Sequence, residues 1–230
     1  MKQLKDFVSI GSMEDMVSNF KNLGKNLSDI GSNIKSKNFS DLECRVYAQL
    51  ADAASRQIIL LAKHAEEPIE INANICRTIF EINILFRYCL SSVDRLNAFA
   101  DQSGTDEISI YKGIRSLQNE NTDPKYLEQL EKHIIQIRSI LQKHNRNLYP
   151  ERKSASQMAK DVGAEKEYEA FYGFYSKYVH ASAWLIIRNR EDIDLPLFRS
   201  IIYLQAQAYS WDILGRLNCF IERKQKLGKS

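Results

Sequence analysis

The sequence predicts an all-α fold, a multi-helix bundle with an N-terminal amphipathic heptad-repeat helix. Apolar residues recur at three- and four-residue intervals through most of the chain, the period of a helix with one buried face. Only four prolines and nine glycines punctuate 230 residues. Alternating apolar and polar runs joined by tight hairpin signals, which would indicate strands, are missing.

The expected elements follow in order. The first helix spans Met13 to Lys37 and carries three heptads that begin at Met16, Leu23 and Ile30. Apolar residues fill the first and fifth places and Asn the fourth, which draws one narrow seam suited to lengthwise packing on another helix. Gly24 and Gly31 each cost about 1 kcal/mol of helix propensity, so this arm needs a surface to lie on: its own domain, a second subunit, another protein or, less in keeping with its narrow apolar face and few aromatics, a membrane interface. A second helix, Asp41 to Ala65, opens with Ser40-Asp41-Leu42-Glu43 at capping-box spacing. The third, Ile69 to Phe99, is apolar around much of its circumference from Ile75 to Leu90 and should be the central core helix. Shorter helices are expected at Glu107 to Gln118, Pro124 to Asn145 and Ala155 to Val162. Thr122-Asp123-Pro124 offers a cap with proline at the first helical position. The aromatic-rich segment Glu165 to Arg188 and the long segment Leu195 to Lys224 complete the set. Pro68, Pro150 and Pro196 all fall near proposed ends. The domain expectation is an arm, residues 1–38, followed by one helical domain, residues 39–230.

Composition excludes several classes. With 32 Lys and Arg against 29 Asp and Glu, the formal charge of +3 is too small for a dedicated polyanion or membrane binder. The four cysteines form no close pair and read as reduced core residues, not as a disulfide framework or a zinc site. No basic start with an apolar leader core and no membrane-length apolar stretch occurs, so a cytoplasmic location is the default. No P-loop, GxGxxG, GxSxG, kinase or HExxH signature occurs, and neither a cofactor nor a metal is expected.

Two constellations could carry chemistry. On the third helix Asn74, Arg77, Glu81, Tyr88, Ser92 and Arg95 follow helical spacing on one face, with Arg77 and Glu81 one turn apart. In the aromatic segment His180 has Ser176, Lys177, Trp184 and Arg188 at helical distances, with Tyr168, Tyr172 and Tyr175 on a neighbouring stripe. An imidazole in such a setting can change charge near neutral pH. Arg77, Glu81 and His180 are expected to form one coupled polar cluster between two core helices, with Tyr175 or Tyr178 nearby, and Tyr178 and Ser176 complete the candidate catalytic set.

The pairing of Arg77-Thr78-Ile79-Phe80-Glu81 with Tyr175-Ser176-Lys177-Tyr178-Val179-His180 resembles an uncharacterised all-helical bacterial domain-of-unknown-function family. Its members show an Arg-x-x-x-Glu helix and a late Ser-x-x-x-His helix. The resemblance runs from about Asp41 to Trp184, omits the heptad arm and implies a helical fold without an activity. Separately, Arg138-Ser139-Ile140-Leu141-Gln142-Lys143-His144 is similar to the Arg-to-His signature of HEPN-type ribonucleases, helical bundles that often dimerise to complete a metal-independent RNA-cleaving site. That resemblance implies an alternative catalytic pair, Arg138 and His144, with Lys143, Arg146, Arg152 and Lys153 as a basic patch for RNA. It also implies action on RNA, in bacterial stress or phage defence, while the expectation of a homodimer rests on the apolar seams that the arm and the helix-rich core both offer. The competing expectation is a non-catalytic interaction or scaffold module of a defence or regulatory complex, in which the polar seam fixes helix packing and the arm recruits a protein partner.

Overall fold

The computed structural model describes residues 8, 11–36, 41–119, 122–148, 150 and 152–227. Among these it contains helices and no strand. The helices are α1 (Met13–Ser36), α2 (Leu42–Lys63), α3 (Ile69–Ser91), α4 (Val93–Ser116), α5 (Pro124–Lys143), α6 (Ala155–Asp161), α7 (Glu165–Val179), α8 (Ala183–Ile187), α9 (Arg190–Ile193) and α10 (Pro196–Leu227). They fall into two compact units: Met1–Tyr88 with Ala155–Ser230, and Cys89–Ser154. None of the described helices is long and apolar enough to cross a membrane.

Ser40, the first residue of the expected capping box, lies outside the described residues, as does Lys37 at the expected end of the arm. The cap that starts α2 is Asp41, whose carboxylate accepts the Cys44 N–H at 2.8 Å. Burial raises the Asp41 carboxyl, but hydrogen bonds from Cys44 and Lys224 outweigh it and hold the group down at about 2.

Two boundaries differ from the sequence expectation, and serine side chains explain both. The third helix stops at Ser91 because Ser92 is extended (φ −163°, ψ 140°). Its hydroxyl accepts the Asp94 N–H at 3.2 Å and starts α4, which then runs unbroken through the segment expected to separate two helices. The aromatic helix stops at Val179, where His180 turns extended (φ −107°, ψ 154°). Ser182 donates its hydroxyl to the Lys177 carbonyl at 2.9 Å and accepts the Leu185 N–H at 3.2 Å, which opens α8. The single turn α9 was not among the expected elements.

In the first unit the heptad seam lies against α2 and α10. Phe20, Leu23, Leu27, Ile30 and Ile34, all first or fifth heptad positions, are buried. The two glycines that weaken α1 locally are what let it approach α2. Ser55 donates its hydroxyl to the Gly24 carbonyl at 2.7 Å. A Cβ on Gly31 would sit 3.3 Å from the Ala48 carbonyl oxygen and 3.4 Å from the Ala51 Cβ. Backbone cannot swing aside as a side-chain tip can, so Gly31→Leu should destabilise by about 1–3 kcal/mol through overpacking. Gly113 in α4 has nothing within 4 Å of such a Cβ, so Gly113→Ala should instead stabilise by up to about 1 kcal/mol. Paired thermal melts should therefore shift in opposite directions; a rise for Gly31→Leu would refute the close approach.

Behind this layer, Tyr47 of α2 packs on Phe86 of α3 and Phe220 of α10, with ring centroids 5.2 and 4.8 Å apart. Phe80 of α3 meets Tyr209 of α10 at 4.9 Å and Tyr175 of α7 at 6.4 Å. The turn between α2 and α3 is pinned through one carbonyl, that of Ala65, which accepts hydrogen bonds from Asn72, Arg199 and Tyr203. Arg199 is fixed in turn by a bidentate pair with Asp194 at 2.5 and 2.7 Å.

Cys44, Cys76 and Cys89 are buried free thiols, whereas Cys219 is exposed on α10, so it is not the core residue its composition class suggests. Burial pushes the three buried thiols up to about 12. A thiol reagent on the native protein should label Cys219 quickly and the other three only on unfolding. Fast labelling of more than one thiol would contradict this packing.

In the second unit α4 and α5 form an antiparallel pair around Ile108, Ile134 and Leu141, flanked by Tyr111, Ile137 and Leu148. Gly104 receives Leu141, whose Cδ1 would lie only 2.9 Å from an added Cβ. Arg115 and Glu131 bridge the pair at 2.5 Å. α5 ends as Asn145 enters the left-handed region at φ 50°. The Arg146 N–H returns to the Leu141 carbonyl at 2.8 Å, closing a Schellman turn.

Candidate functional site

Arg77 is the centre of a polar cluster within the first unit. Its Nε donates to Glu81 Oε1 at 2.9 Å, one turn further along α3. Its Nη2 donates to the Tyr172 hydroxyl at 3.0 Å, while the guanidinium carbon lies 4.5 Å from the Tyr172 ring centroid. Its Nη1 reaches His180 Nε2 at 3.4 Å. A guanidinium only donates, so Nε2 is the accepting nitrogen in this contact. The Arg77 side chain is 16% exposed and that of Glu81 37%. His180 is exposed.

An aromatic ladder holds this arrangement from below. Tyr172 stacks on Tyr168 (4.7 Å, 17°), and Tyr168 stacks on Phe80 of α3 (6.0 Å, 28°). Burial pushes the Tyr168 phenol up to about 12, so it serves as a neutral packing surface at physiological pH. Arg77 is thus fixed by a carboxylate, a phenol and a ring face, with Nη1 directed at the exposed imidazole. A double-mutant cycle on Arg77→Ala and Tyr172→Ala should give a coupling of about 1 kcal/mol in stability, and Arg77→Ala with His180→Ala about 0.5 kcal/mol. Strict additivity in both cycles would show that the contacts carry no energy.

Sequence spacing brings Arg77, Glu81 and His180 together, but other expected members are tied elsewhere. Ser176 donates to the Gly173 carbonyl of its own helix at 2.9 Å. Tyr178 donates to the Ile193 carbonyl at 2.9 Å. Tyr175 is buried against Cys76 and Gln205. The tyrosine that does join Arg77 is Tyr172, absent from the expected site. The i,i+4 spacing of Tyr168 and Tyr172 is the signal that could have found it, because it marks a stacked pair along α7.

The alternative residues all lie in the second unit. Arg138 lines a pocket to which His144 does not contribute. His144 is the C-cap of α5, and six positions along a helix leave two side chains about 120° apart. In the basic patch, Arg146 pairs with Asp101 at 3.3 Å and Arg152 with Asp106. Lys143 is exposed and Lys153 is partly buried. Two carboxylates therefore offset much of the positive charge that the patch's composition suggests.

No curated protein and no solved structure matches the chain. A sequence profile does match residues 44–193. That span takes in Arg77, Glu81, Tyr172 and His180 and leaves out α1 and α10. The chain therefore belongs to the family of unknown function DUF5677.

Proposed function

We propose that the chain is a HEPN-like helical protein that cleaves RNA without a metal, with Arg77 and His180 as its reactive pair and bacterial stress or phage defence as its setting. The observation that carries this reading is the contact of a guanidinium, held by Glu81 and Tyr172, with the exposed His180 imidazole at 3.4 Å.

In the proposed reaction, an RNA phosphate takes the Nη1 donor of Arg77, which frees His180 Nε2. That nitrogen removes the proton from the ribose 2′-hydroxyl, whose oxygen attacks the adjacent phosphorus. Arg77 stabilises the charge that develops on the phosphorane oxygens, and the 5′-oxygen departs with a proton taken from water, leaving a 2′,3′-cyclic phosphate, while His180 returns its own proton to the hydroxide so formed. Glu81 and Tyr172 act by holding the guanidinium in place. Lys143, Arg146, Arg152 and Lys153 are the RNA contacts proposed for the alternative pair, Arg138 and His144, which shares the second unit with them, and the same reading takes the protein as a cytoplasmic homodimer. The test is incubation of the purified chain with single-stranded RNA in the presence of chelator. Product ending in a cyclic phosphate supports the reading, and intact RNA counts against it.

One observation favours the second reading, an interaction module. Ile110, Ile114 and Leu117 recur at helical spacing along α4 and its C-cap and are 61%, 47% and 84% exposed, an apolar stripe of the kind that marks protein-binding faces.

A further inference from the structure

The second unit contains a pocket of about 300 Å³, a volume at the small end of ligand sites. Thr105, Ile108, Ser109 and Lys112 reach it from one stripe of α4, Arg138 from α5, and Leu148, Pro150 and Arg152 from the segment that follows. We propose that this pocket binds a small phosphate monoester with an apolar body, a role independent of the Arg77 and His180 cluster.

The lining divides into a charged side and an apolar side. Among the described residues neither Lys112 nor Arg138 has a hydrogen-bond or ion-pair partner, although they face the same cavity from two helices. Arg152 also lines the pocket but is paired with Asp106. Counting Lys112, Arg138 and Arg152 against Asp106 leaves two positive charges, the complement of a phosphate dianion. The Thr105 hydroxyl donates to the Gln102 carbonyl at 3.0 Å, while that of Ser109 stays available as a neutral donor. A monoester's terminal oxygens can accept from a lysine, an arginine and a hydroxyl at once. Ile108, Leu148 and Pro150 supply the surface for the ester's carbon body. The size suits a small molecule better than a polymer.

The experiment is calorimetric titration of the full chain with phenyl phosphate, inorganic phosphate and phenol. Saturable one-to-one binding of phenyl phosphate is expected, weakened by added salt, with inorganic phosphate at least about tenfold weaker and phenol not binding. Lys112 and Arg138 are exposed, so Lys112→Gln and Arg138→Gln should keep the unliganded melting temperature. Each should weaken phenyl phosphate about tenfold to a hundredfold, the effect of one charge-assisted hydrogen bond. Phenyl phosphate binding that the double variant leaves unchanged would overturn the proposal, as would no saturation at millimolar concentration. Equal affinity for inorganic phosphate would overturn the apolar half of it. RNA cleavage by a protein that fails this titration would leave the ribonuclease reading standing, so the two can fail separately.

Discussion

Deleting residues 1–36 is expected to leave a chain that does not fold cooperatively. The deletion removes Phe20, Leu23, Leu27, Ile30 and Ile34, each at most 8% exposed. At about 1.5–3 kcal/mol per buried side chain, their loss costs roughly 8–15 kcal/mol as an upper bound. A domain's whole stability is about 5–15 kcal/mol. The deletion also bares the α2 face of Ala48, Ala51, Ala54 and Ile58, all buried in the intact chain. Circular dichroism melts, dye binding to exposed apolar surface and mass in solution would report the outcome. A truncated chain that stays monomeric and melts within a few degrees of the intact protein would mean that α1 is an appendage and not part of the core.

The second large effect concerns chemistry. If His180 moves the proton, His180→Ala should lower RNA cleavage by about 10²–10⁴-fold, while stability changes little because the residue is exposed and its contact with Arg77 is long at 3.4 Å. Arg77→Ala should fall comparably through loss of charge stabilisation, about 10²–10³-fold by analogy with removing one transition-state donor. Arg77→Lys should rescue little, since a lysine cannot donate to Glu81, Tyr172 and a phosphate in the same fork geometry. His144→Ala tests the alternative pair: unchanged cleavage there, with loss at His180, places the chemistry in the first unit. The opposite result places it in the second. DNA lacks the attacking hydroxyl and should be inert, so cleavage of DNA at a similar rate would exclude the mechanism.

The helical class and the buried seam of α1 were legible because both rest on periodicity, which survives whatever the chain packs against. The start of α5 was legible in Thr122-Asp123-Pro124, and Asp123 does cap it, accepting the Lys125 N–H. The breaks at Ser92 and His180 were not. Ser92 falls just beyond the apolar run that ends at Leu90 and His180 inside an aromatic run, and at each place a single serine hydroxyl turned into a cap decides the break. Serine favours caps but is also tolerated inside helices, so its presence alone does not say where a helix breaks. The meeting of Arg77 with His180 was readable as two isolated polar positions on apolar helices. The choice of Tyr172 over Tyr178 was not, because the helix ends one residue after Tyr178, at Val179, and the Tyr178 hydroxyl is taken by the Ile193 carbonyl.

The short link between α7 and α8 acts as a ruler. In a continuous helix each residue advances about 1.5 Å and turns about 100°, and an inserted residue would rotate everything beyond it. Here the chain leaves α7 extended and is recaptured at once by the Ser182 hydroxyl, so that Trp184 returns to pack on Tyr178 at 5.2 Å. His180 itself is the C-cap of α7, its N–H bonded to the Ser176 carbonyl at 3.2 Å, so α7 sets its backbone while the link sets where Trp184 returns. Drift in the sequence of α8 can therefore be absorbed without moving His180, whereas a change of even one residue in the length of the link would take Trp184 off the Tyr178 ring.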